Sequence, residues 1–422
     1  MPSRPRRVVV VGAGAAGTMA AIFAARRDNE TRLLERTADG GRKILISGGG
    51  RCNILPARAD ETRFVTDSSP NTLKKMLRSW RLEEQVSFFE REAGIPLVEE
   101  AESGKLFPAS DRASDVRNAL FALARRRNAS IVTGALVTGL RRIGASWRIE
   151  RDGGDSIDAD AVVVATGGLS IPRSGSDGTG LDILRRLGHT LRATYPALTP
   201  LSGSPPPFAA LSGISLPVAV TAKAQTRSAE AEGGFLFTHQ GYSGPSVLDV
   251  SHIAVRSLEE DAGGHARVTV RWTAKGRHEW DAALRAAGSR TVASLLRGEL
   301  PERLAAALAE VSGVDPATPL SRLTRDARLS LVETLAAGEL PWTGHGGYAK
   351  AEVTGGGVAL EEIHPVTMES RVQPGLFLCG EALDAFGPIG GYNFQWAWAT
   401  GRAAGIGAAA IPTASTRPSA TA

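Results

Sequence analysis

Four consecutive valines run directly into the spacing Gly-x-Gly-x-x-Gly, formed by Gly12, Gly14 and Gly17. This order predicts a strand, a tight turn and the start of a helix, an arrangement that holds the pyrophosphate of a dinucleotide. Gly12 permits the turn, Gly14 lets the backbone approach the phosphates, and Gly17 lets the helix pack closely against the strand. The predicted helix spans residues 15–27, and its first N–H groups and positive dipole end would face the anion.

The second predicted strand, residues 31–35, ends in an acidic residue. Glu35 lies 23 positions after Gly12, which is close to the spacing of a carboxylate that hydrogen-bonds an adenosine ribose. A carboxylate at this place favours an unphosphorylated ribose, as in FAD or NAD, over that of NADP. An ordinary strand–helix–strand turn without a ligand is the alternative interpretation.

The composition indicates a globular protein of two or three domains, since 42% of the 422 residues are hydrophobic and 22% are charged. No apolar run approaches the roughly 18–20 residues that span a bilayer, and the first residues lead into the first strand without room for a signal peptide. These features predict a cytoplasmic protein that does not enter a membrane. Cys52 and Cys379 form no Cys-x-x-Cys pair, so we expect neither a metal site nor a redox disulfide.

The formal net charge of +5 raises the question of nucleic-acid binding. The densest basic run, residues 125–127, ends a predicted helix that begins near Asp115, and cations at that end complement the helix dipole. A solvated helix face explains this run better than a nucleic-acid surface does. We therefore expect no nucleic-acid partner.

The pattern of residues changes twice along the chain, which predicts a cofactor domain interrupted by an insert. Prolines and short alternating runs indicate a β-rich part, and an Ala/Leu/Arg-rich stretch indicates a helical part. Glycine-rich segments then return, and the last residues have the composition of a disordered tail. The predicted parts are residues 1–190 (cofactor domain), 191–344 (insert, β-rich over 191–275 and helical over 276–344), 345–410 (cofactor domain again) and 411–422 (disordered tail).

A second cofactor-binding segment is predicted near the end of the chain. Residues 374–381 form a short apolar strand that closes in an acid, Glu381, and a helix of small residues follows from Gly391. The acid would bind a ribitol hydroxyl, and the helix N-terminus near Gly390 and Asn393 would stabilise the negative charge of a reduced flavin. Together with the first glycine motif, this segment predicts FAD as the cofactor. A strand and helix that only close the sheet are the alternative.

Four segments resemble the aminoacetone oxidase-like family of FAD-binding proteins, which includes the BaiN-type flavoproteins. They are GRKILISGGGRCN (41–53), LFPASDRASD (106–115), FTHQGYSGP (237–245) and the stretch 380–401. The resemblance implies an α/β fold with a Rossmann-like FAD-binding domain, split by a β-rich domain that carries a helical insert. The sequence departs from the family at 386–390 (FGPIG), where many relatives are more acidic, which implies a subgroup with a different substrate.

The segment 41–53 combines positive charges with glycines that allow close backbone approach, which suits a pyrophosphate and a flavin ring. A surface glycine loop is the alternative. Within this segment, Cys52 is interpreted as a buried packing thiol rather than a reactive one. The predicted cofactor-binding residues are Gly12, Gly14, Ala15, Ala16, Gly17, Glu35, Arg36, Arg42, Lys43, Ser47, Gly50, Arg51, Cys52, Asn53, Thr166, Gly167, Gly168, Gly380, Glu381, Gly390, Gly391, Tyr392 and Asn393.

His239 and Tyr392 are the candidates for a catalytic proton donor or acceptor. His239 lies in a glycine-containing loop of the insert, and Tyr392 directly follows the glycines that would face the flavin. His239 as a simple anchor of its loop is the alternative.

These features predict an FAD-dependent oxidoreductase that moves a hydride between the flavin and a small organic substrate. The resemblance implies an amine or amino-ketone oxidase that uses O₂. The alternatives are an NAD(P)H-dependent reductase of an enone-type substrate, an RNA-modifying flavoprotein and a flavin-binding redox sensor. The absence of a second Gly-x-Gly-x-x-Gly spacing argues against a dedicated NAD(P)H domain. The sequence does not predict the oligomeric state.

Overall fold

The computed structural model describes residues 5–25, 29–206, 208–259, 265–285 and 289–410, so the predicted tail at 411–422 lies outside the described residues. The strands in chain order are β1 (Arg6–Val11), β2 (Asn29–Leu34), β3 (Leu55–Pro56), β4 (Leu97–Glu100), β5 (Lys105–Pro108), β6 (Ala129–Val132), β7 (Val137–Ile143), β8 (Ser146–Arg151), β9 (Gly154–Ala159), β10 (Ala161–Val164), β11 (Leu191–Ala197), β12 (Leu201–Ser202), β13 (Ser215–Lys223), β14 (Ser228–Thr238), β15 (Gly241–Ser243), β16 (Arg267–Arg271), β17 (Gly338–Glu339), β18 (Gly344–His345), β19 (Val353–Val358) and β20 (Leu376–Leu378). The α-helices are α1 (Ala15–Ala24), α2 (Arg42–Ile46), α3 (Pro70–Leu77), α4 (Leu82–Ser87), α5 (Ala113–Arg126), α6 (Thr179–Arg186), α7 (Pro245–Glu259), α8 (Arg277–Leu284), α9 (Val292–Leu296), α10 (Glu302–Val311), α11 (Arg325–Ala337), α12 (Gly347–Lys350) and α13 (Tyr392–Ala409).

The chain forms two units. The first unit consists of Met1–Thr194 and Val353–Ala422, and the second is Tyr195–Glu352. The sequence places the two boundaries after residues 190 and 344, whereas the structure places them after residues 194 and 352. The first change of unit occurs inside β11, between Thr194 and Tyr195.

The valine run forms the central strand of a five-stranded sheet in the first unit. The strand order is β20-β10-β1-β2-β6, and every neighbouring pair is parallel. Val8 to Val11 are buried, as are all four residues of β10, because parallel sheets are covered on both faces and their strands are continuous apolar runs. The carboxyl ends of all five strands therefore lie at one edge of the sheet. This sheet confirms the predicted α/β fold with a Rossmann-like domain.

Two helices that follow the cofactor motifs pack directly against each other. On α13, a Cβ atom at Gly401 would overlap the carbonyl oxygen of Ala16, and one at Gly405 would overlap that of Ala20. These pairs run in the same direction, so α1 and α13 are parallel. Gly401 is nine residues after the start of α13, whereas Ala16 is one residue after the start of α1. At about 1.5 Å per residue, α13 therefore begins roughly 12 Å beyond the start of α1.

The second unit has a core of its own around a seven-stranded sheet. Its strand order is β17-β16-β13-β14-β15-β12-β18, built on the long antiparallel hairpin of β13 and β14. Helices α8 to α11 occupy the part predicted to be helical. The sequence interpretation missed α7, a 15-residue helix within the part predicted to be β-rich. Its buried Val247, Val250 and Ile253 recur at three-residue intervals, and this spacing was the available signal.

Candidate cofactor-binding site

The three glycines of the first motif have different surroundings. Gly12 has φ +99°, and a Cβ there would lie 2.5 Å from the carbonyl oxygen of Ala165, so the turn requires glycine. A Cβ at Gly17 would overlap the carbonyl oxygen of Gly12, whereas one at Gly14 would meet no atom of the described residues within 4 Å. The protein itself therefore explains Gly12 and Gly17, while Gly14 borders open space at the start of α1. Among the described residues, no side chain caps this end of α1, so its N–H groups are available to a ligand.

Glu35 braces the same turn. One carboxylate oxygen accepts from Ala13 N (2.8 Å), and the other accepts from Thr37 N (2.8 Å) and Thr37 Oγ1 (2.7 Å). The residue is 7% exposed. Because a carboxylate offers about four acceptor positions, Glu35 retains capacity for a ribose hydroxyl beside the open space at Gly14.

The two ends of the predicted site meet in a partly buried ion pair. Lys43 Nζ lies 2.7 Å from Glu381 Oε2 and 2.6 Å from Ser170 Oγ. The other oxygen of Glu381 accepts from Ser170 Oγ (2.6 Å), Thr354 N (3.0 Å) and Thr354 Oγ1 (2.8 Å). Burial raises the pKa of Glu381, but the Lys43 ammonium and these hydrogen bonds outweigh it, so the net pKa lies below the ordinary value. Sequence reasoning missed Ser170 and Thr354; only the short distance of Ser170 from the predicted turn at 166–168 offered a signal.

The other predicted basic residues pair with carboxylates rather than facing the glycine turn. Exposed pairs of this kind add little stability, so an anionic ligand can compete for these side chains. The pairs are Arg36 with Asp177, Arg42 with Asp39 (2.7 Å), and Arg51 with both Asp111 (2.5 Å) and Glu100 (3.0 Å).

Residues 47–50, which follow α2, form a backbone loop that we call the cradle. Gly48, Gly49 and Gly50 have φ values of +56°, +68° and +89°, a run of left-handed conformations that glycine adopts without steric cost. A Cβ at Gly49 would meet nothing within 4 Å. At the start of the cradle, Ser47 Oγ donates to Ile44 O (2.8 Å). The cradle therefore presents bare backbone to open space, as a site for a flat ring or a phosphate requires.

Asn53 ties this cradle to the start of α13. With its amide oriented so that both ends are hydrogen-bonded, Asn53 Oδ1 accepts from Gly391 N (3.0 Å) and Nδ2 donates to Leu55 O (3.1 Å). A Cβ at Gly391 would overlap the backbone of Leu55. Asn393 makes two hydrogen bonds to the backbone of Gly387, at 2.8 and 2.9 Å. The structure thus brings the predicted segments 41–53 and 390–393 together.

Thr166, just after β10, has a buried hydroxyl group that packs against Gly180 of α6. In the described part of the chain, Thr166 Oγ1 has no hydrogen-bond partner, and buried hydroxyl groups normally have one. The neighbouring glycines are closely packed, since a Cβ at Gly167 would lie 2.6 Å from Ser176 Oγ and one at Gly380 would lie 2.7 Å from Ala16 Cβ. A Cβ at Gly168 would overlap Thr354 Oγ1.

The two predicted catalytic residues have different settings. Tyr392 is 5% exposed, and its hydroxyl accepts from Arg63 Nη1 and donates to Arg58 O, both at 3.3 Å. His239 lies in the exposed turn between β14 and β15 of the second unit. Their catalytic roles stay predictions.

Both thiols are buried. Burial raises the pKa of Cys52 to about 12 and raises that of Cys379 further, so the nucleophilic thiolate is scarce at neutral pH.

We expect the native protein to react with no equivalent of a thiol reagent at mildly alkaline pH, and the denatured protein to react with two. Stoichiometric labelling of the native protein would contradict the packing role of Cys52.

A hydrogen-bonded Ser–His–Glu arrangement occurs away from these segments. His189 Nδ1 lies 2.8 Å from Glu362 Oε2, and its Nε2 lies 3.0 Å from Ser370 Oγ. Ser370 is 3% exposed, and its hydroxyl already accepts from two backbone N–H groups. The arrangement therefore holds the turn at residues 370–373 and is not accessible for nucleophilic catalysis.

The geometry fits an extended dinucleotide. The open space at Gly14 and the uncapped start of α1 suit one end of such a ligand. The start of α13, roughly 12 Å further along, suits the other end.

No three His, Cys, Asp or Glu side chains among the described residues form a group that could hold a metal ion. No described helix combines the length and apolarity needed to cross a membrane.

A family model described as "HI0933-like protein Rossmann domain" matches residues 6–407. The 3-dehydro-bile acid delta(4,6)-reductase of Clostridium scindens is 34% identical over 414 residues, which cover 96% of this chain and 100% of that protein. The ribosomal RNA dihydrouridine synthase of Escherichia coli is 29% identical over 395 residues, which cover 93% of this chain and 95% of that protein. Among solved structures, the 3-ketosteroid-delta4-(5alpha)-dehydrogenase of Rhodococcus jostii is 16% identical with a TM-score of 0.48, over 97% of this chain and 98% of that one.

Proposed function

We propose that the protein, which belongs to the HI0933-like Rossmann-domain family, is a reductase of carbon–carbon double bonds conjugated with a carbonyl group. The chain is an FAD-dependent oxidoreductase, and FAD is its cofactor. The observation that carries the proposal is the 34% identity with the bile acid reductase over nearly the whole chain.

The names of the two relatives support one reaction class. A 3-dehydro bile acid with delta(4,6) double bonds holds an alkene conjugated with its ketone, and uridine holds one conjugated with a ring carbonyl. Hydride reduction of an alkene conjugated with a carbonyl group adds a hydride to the carbon far from the carbonyl group and a proton to the near carbon. This shared chemistry favours the enone reductase over the amine or amino-ketone oxidase that the resemblance implied.

Different segments of the first unit are assigned to different parts of FAD. We propose that the start of α1 and Gly14 bind the pyrophosphate, that Glu35 binds the adenosine ribose, and that the segment 47–53 together with the start of α13 holds the flavin. FAD, when bound, accepts a hydride from a donor and delivers it to the alkene. Tyr392 is the candidate within this unit for supplying the proton, and the catalytic role of His239 stays a prediction.

Anaerobic titration tests the direction of electron flow. We expect NADH or NADPH to bleach the visible flavin band of the purified protein, and an added 3-oxo-Δ4 steroid acid to restore it with formation of the saturated ketone. One NAD(P)H and one proton are consumed for each alkene. Bleaching by an amino-ketone alone, followed by hydrogen peroxide formation on admitting air, would replace this proposal with the oxidase.

Ribosomal RNA is the second candidate substrate, since the E. coli relative is a ribosomal RNA dihydrouridine synthase. The same reduced protein is offered a uridine-containing rRNA transcript instead of the steroid. Restoration of the flavin band with formation of dihydrouridine, and binding that weakens steeply with salt, would select the RNA substrate.

A further inference from the structure

Lys105 is a basic residue next to the start of α13 that the sequence interpretation did not select. It begins β5 and pairs with Pro56 of β3, whose backbone lies against Gly391. A Cβ at Gly390 would lie 3.9 Å from Lys105 Cε and at 3.9 and 4.0 Å from two ring carbons of Tyr392. The lysine stem and the tyrosine ring therefore line the open side of Gly390.

The carboxylate best placed to neutralise Lys105 is engaged elsewhere. Glu100 stands opposite Lys105 in the pairing of β4 and β5. Its carboxylate accepts hydrogen bonds from Ser103 Oγ (2.5 Å) and Arg51 Nη1 (3.0 Å) rather than from Lys105. These bonds, together with the charges of Arg51 and Lys105, hold the pKa of Glu100 below its ordinary value. Within the described residues, the Lys105 ammonium makes no hydrogen bond or ion pair.

This placement concentrates positive potential at one point. A helix N-terminus carries a partial positive charge and favours a neighbouring anion. Among the described residues, Asn53 accepts from Gly391 N, and no side chain caps the N–H groups of the first turn of the 18-residue α13. Lys105 adds a full positive charge beside the same end. Two positive sources next to each other are unfavourable until a negative charge binds between them.

We propose that Lys105 stabilises the negative charge that FAD gains on reduction and so raises its reduction potential. The inference rests on the proposed function, because it requires the flavin to lie at the start of α13. The hydride from NAD(P)H brings two electrons and one proton, so the donor becomes NAD(P)⁺ and the cofactor gains one negative charge. Lys105 acts on that charge alone and neither gives nor takes a proton.

The test is the reduction potential of FAD-loaded variants, measured by equilibration with a reference dye of known potential. We expect Lys105→Met to lower the equilibrium constant for reduction by on the order of tenfold, which is about 30 mV for a two-electron couple. Lys105→Arg keeps the charge and should stay within about twofold of the wild type, or about 9 mV. Lys75→Met removes the same charge from an exposed position on α3 and should leave the potential unchanged.

The affinity for sulfite gives an independent readout, because the flavin–sulfite adduct is also anionic. We expect it to fall in Lys105→Met and to persist in Lys105→Arg. If Lys105→Met folds poorly, Lys105→Gln retains the first two methylene groups of the stem and removes the same charge. An unchanged potential and sulfite affinity in an FAD-loaded, charge-removing variant would overturn this inference alone, whereas a wild-type protein that binds no FAD would overturn the proposed function as well.

Discussion

Gly14→Ala is expected to give a folded protein that binds FAD weakly. Gly14 has φ −76° and ψ −169°, which alanine adopts without strain, and its Cβ would meet no protein atom. The added methyl group would instead occupy the space proposed for the pyrophosphate. Overpacking costs roughly 1–3 kcal/mol, so the Kd for FAD should rise by roughly 5- to 150-fold. Fluorescence titration of the apoprotein with FAD measures this.

Gly17→Ala is the matched control, because it makes the same chemical change three residues along. Its Cβ would overlap the carbonyl oxygen of Gly12, and backbone atoms inside a packed turn cannot move aside cheaply. We expect the free energy of unfolding of the apoprotein to fall by about 3 kcal/mol or more, as measured by urea denaturation, while that of Gly14→Ala stays close to the wild-type value. Normal FAD affinity in Gly14→Ala would show that the phosphates do not bind at this turn.

Lys43→Met is expected to destabilise the apoprotein through Glu381. Both side chains are mostly buried, with exposed fractions of 24% and 18%, and removal of one partner leaves a buried charge uncompensated. Such a change costs about 3 kcal/mol. Adding Glu381→Gln to this variant removes the unpaired carboxylate charge. The double variant should therefore lose less free energy of unfolding than the two single variants lose together. Urea denaturation of the four proteins gives this coupling free energy.

The free energy of unfolding at acidic pH provides a second readout for the Lys43–Glu381 pair. The pKa of Glu381 is lower in the folded protein than its ordinary value, so its stabilising contribution is present above the ordinary pKa and is lost as the pH falls through the folded value. In Lys43→Met, the stability should therefore fall less as the pH is lowered through this range. If Lys43 instead bound the pyrophosphate, Lys43→Met would weaken FAD binding, and Glu381→Gln would neither rescue that affinity nor restore stability.

The predicted elements that depend on neighbouring residues agree with the structure. The valine run and the glycines of the first motif are adjacent in sequence, and their spacing alone specifies a strand, a turn and a helix. The same holds for the short strand and small-residue helix near the end of the chain, which appear as β20 and α13. The different surroundings of Gly14 and Gly17 were not predictable, because the two glycines differ only in which distant atoms lie beside them.

By itself, the sequence determined the parallel sheet, the dinucleotide turn at Gly12 and FAD as the cofactor, because each depends on local spacing or on buried apolar runs. Only the tertiary structure decided that Lys43 binds Glu381, 338 positions away along the chain, and that Lys105 lies beside Gly390. A charged side chain has several carboxylates within reach in any plausible fold. Which one it meets is set by the packing of the elements that carry both partners, here the close contact of α13 with α1 and β3.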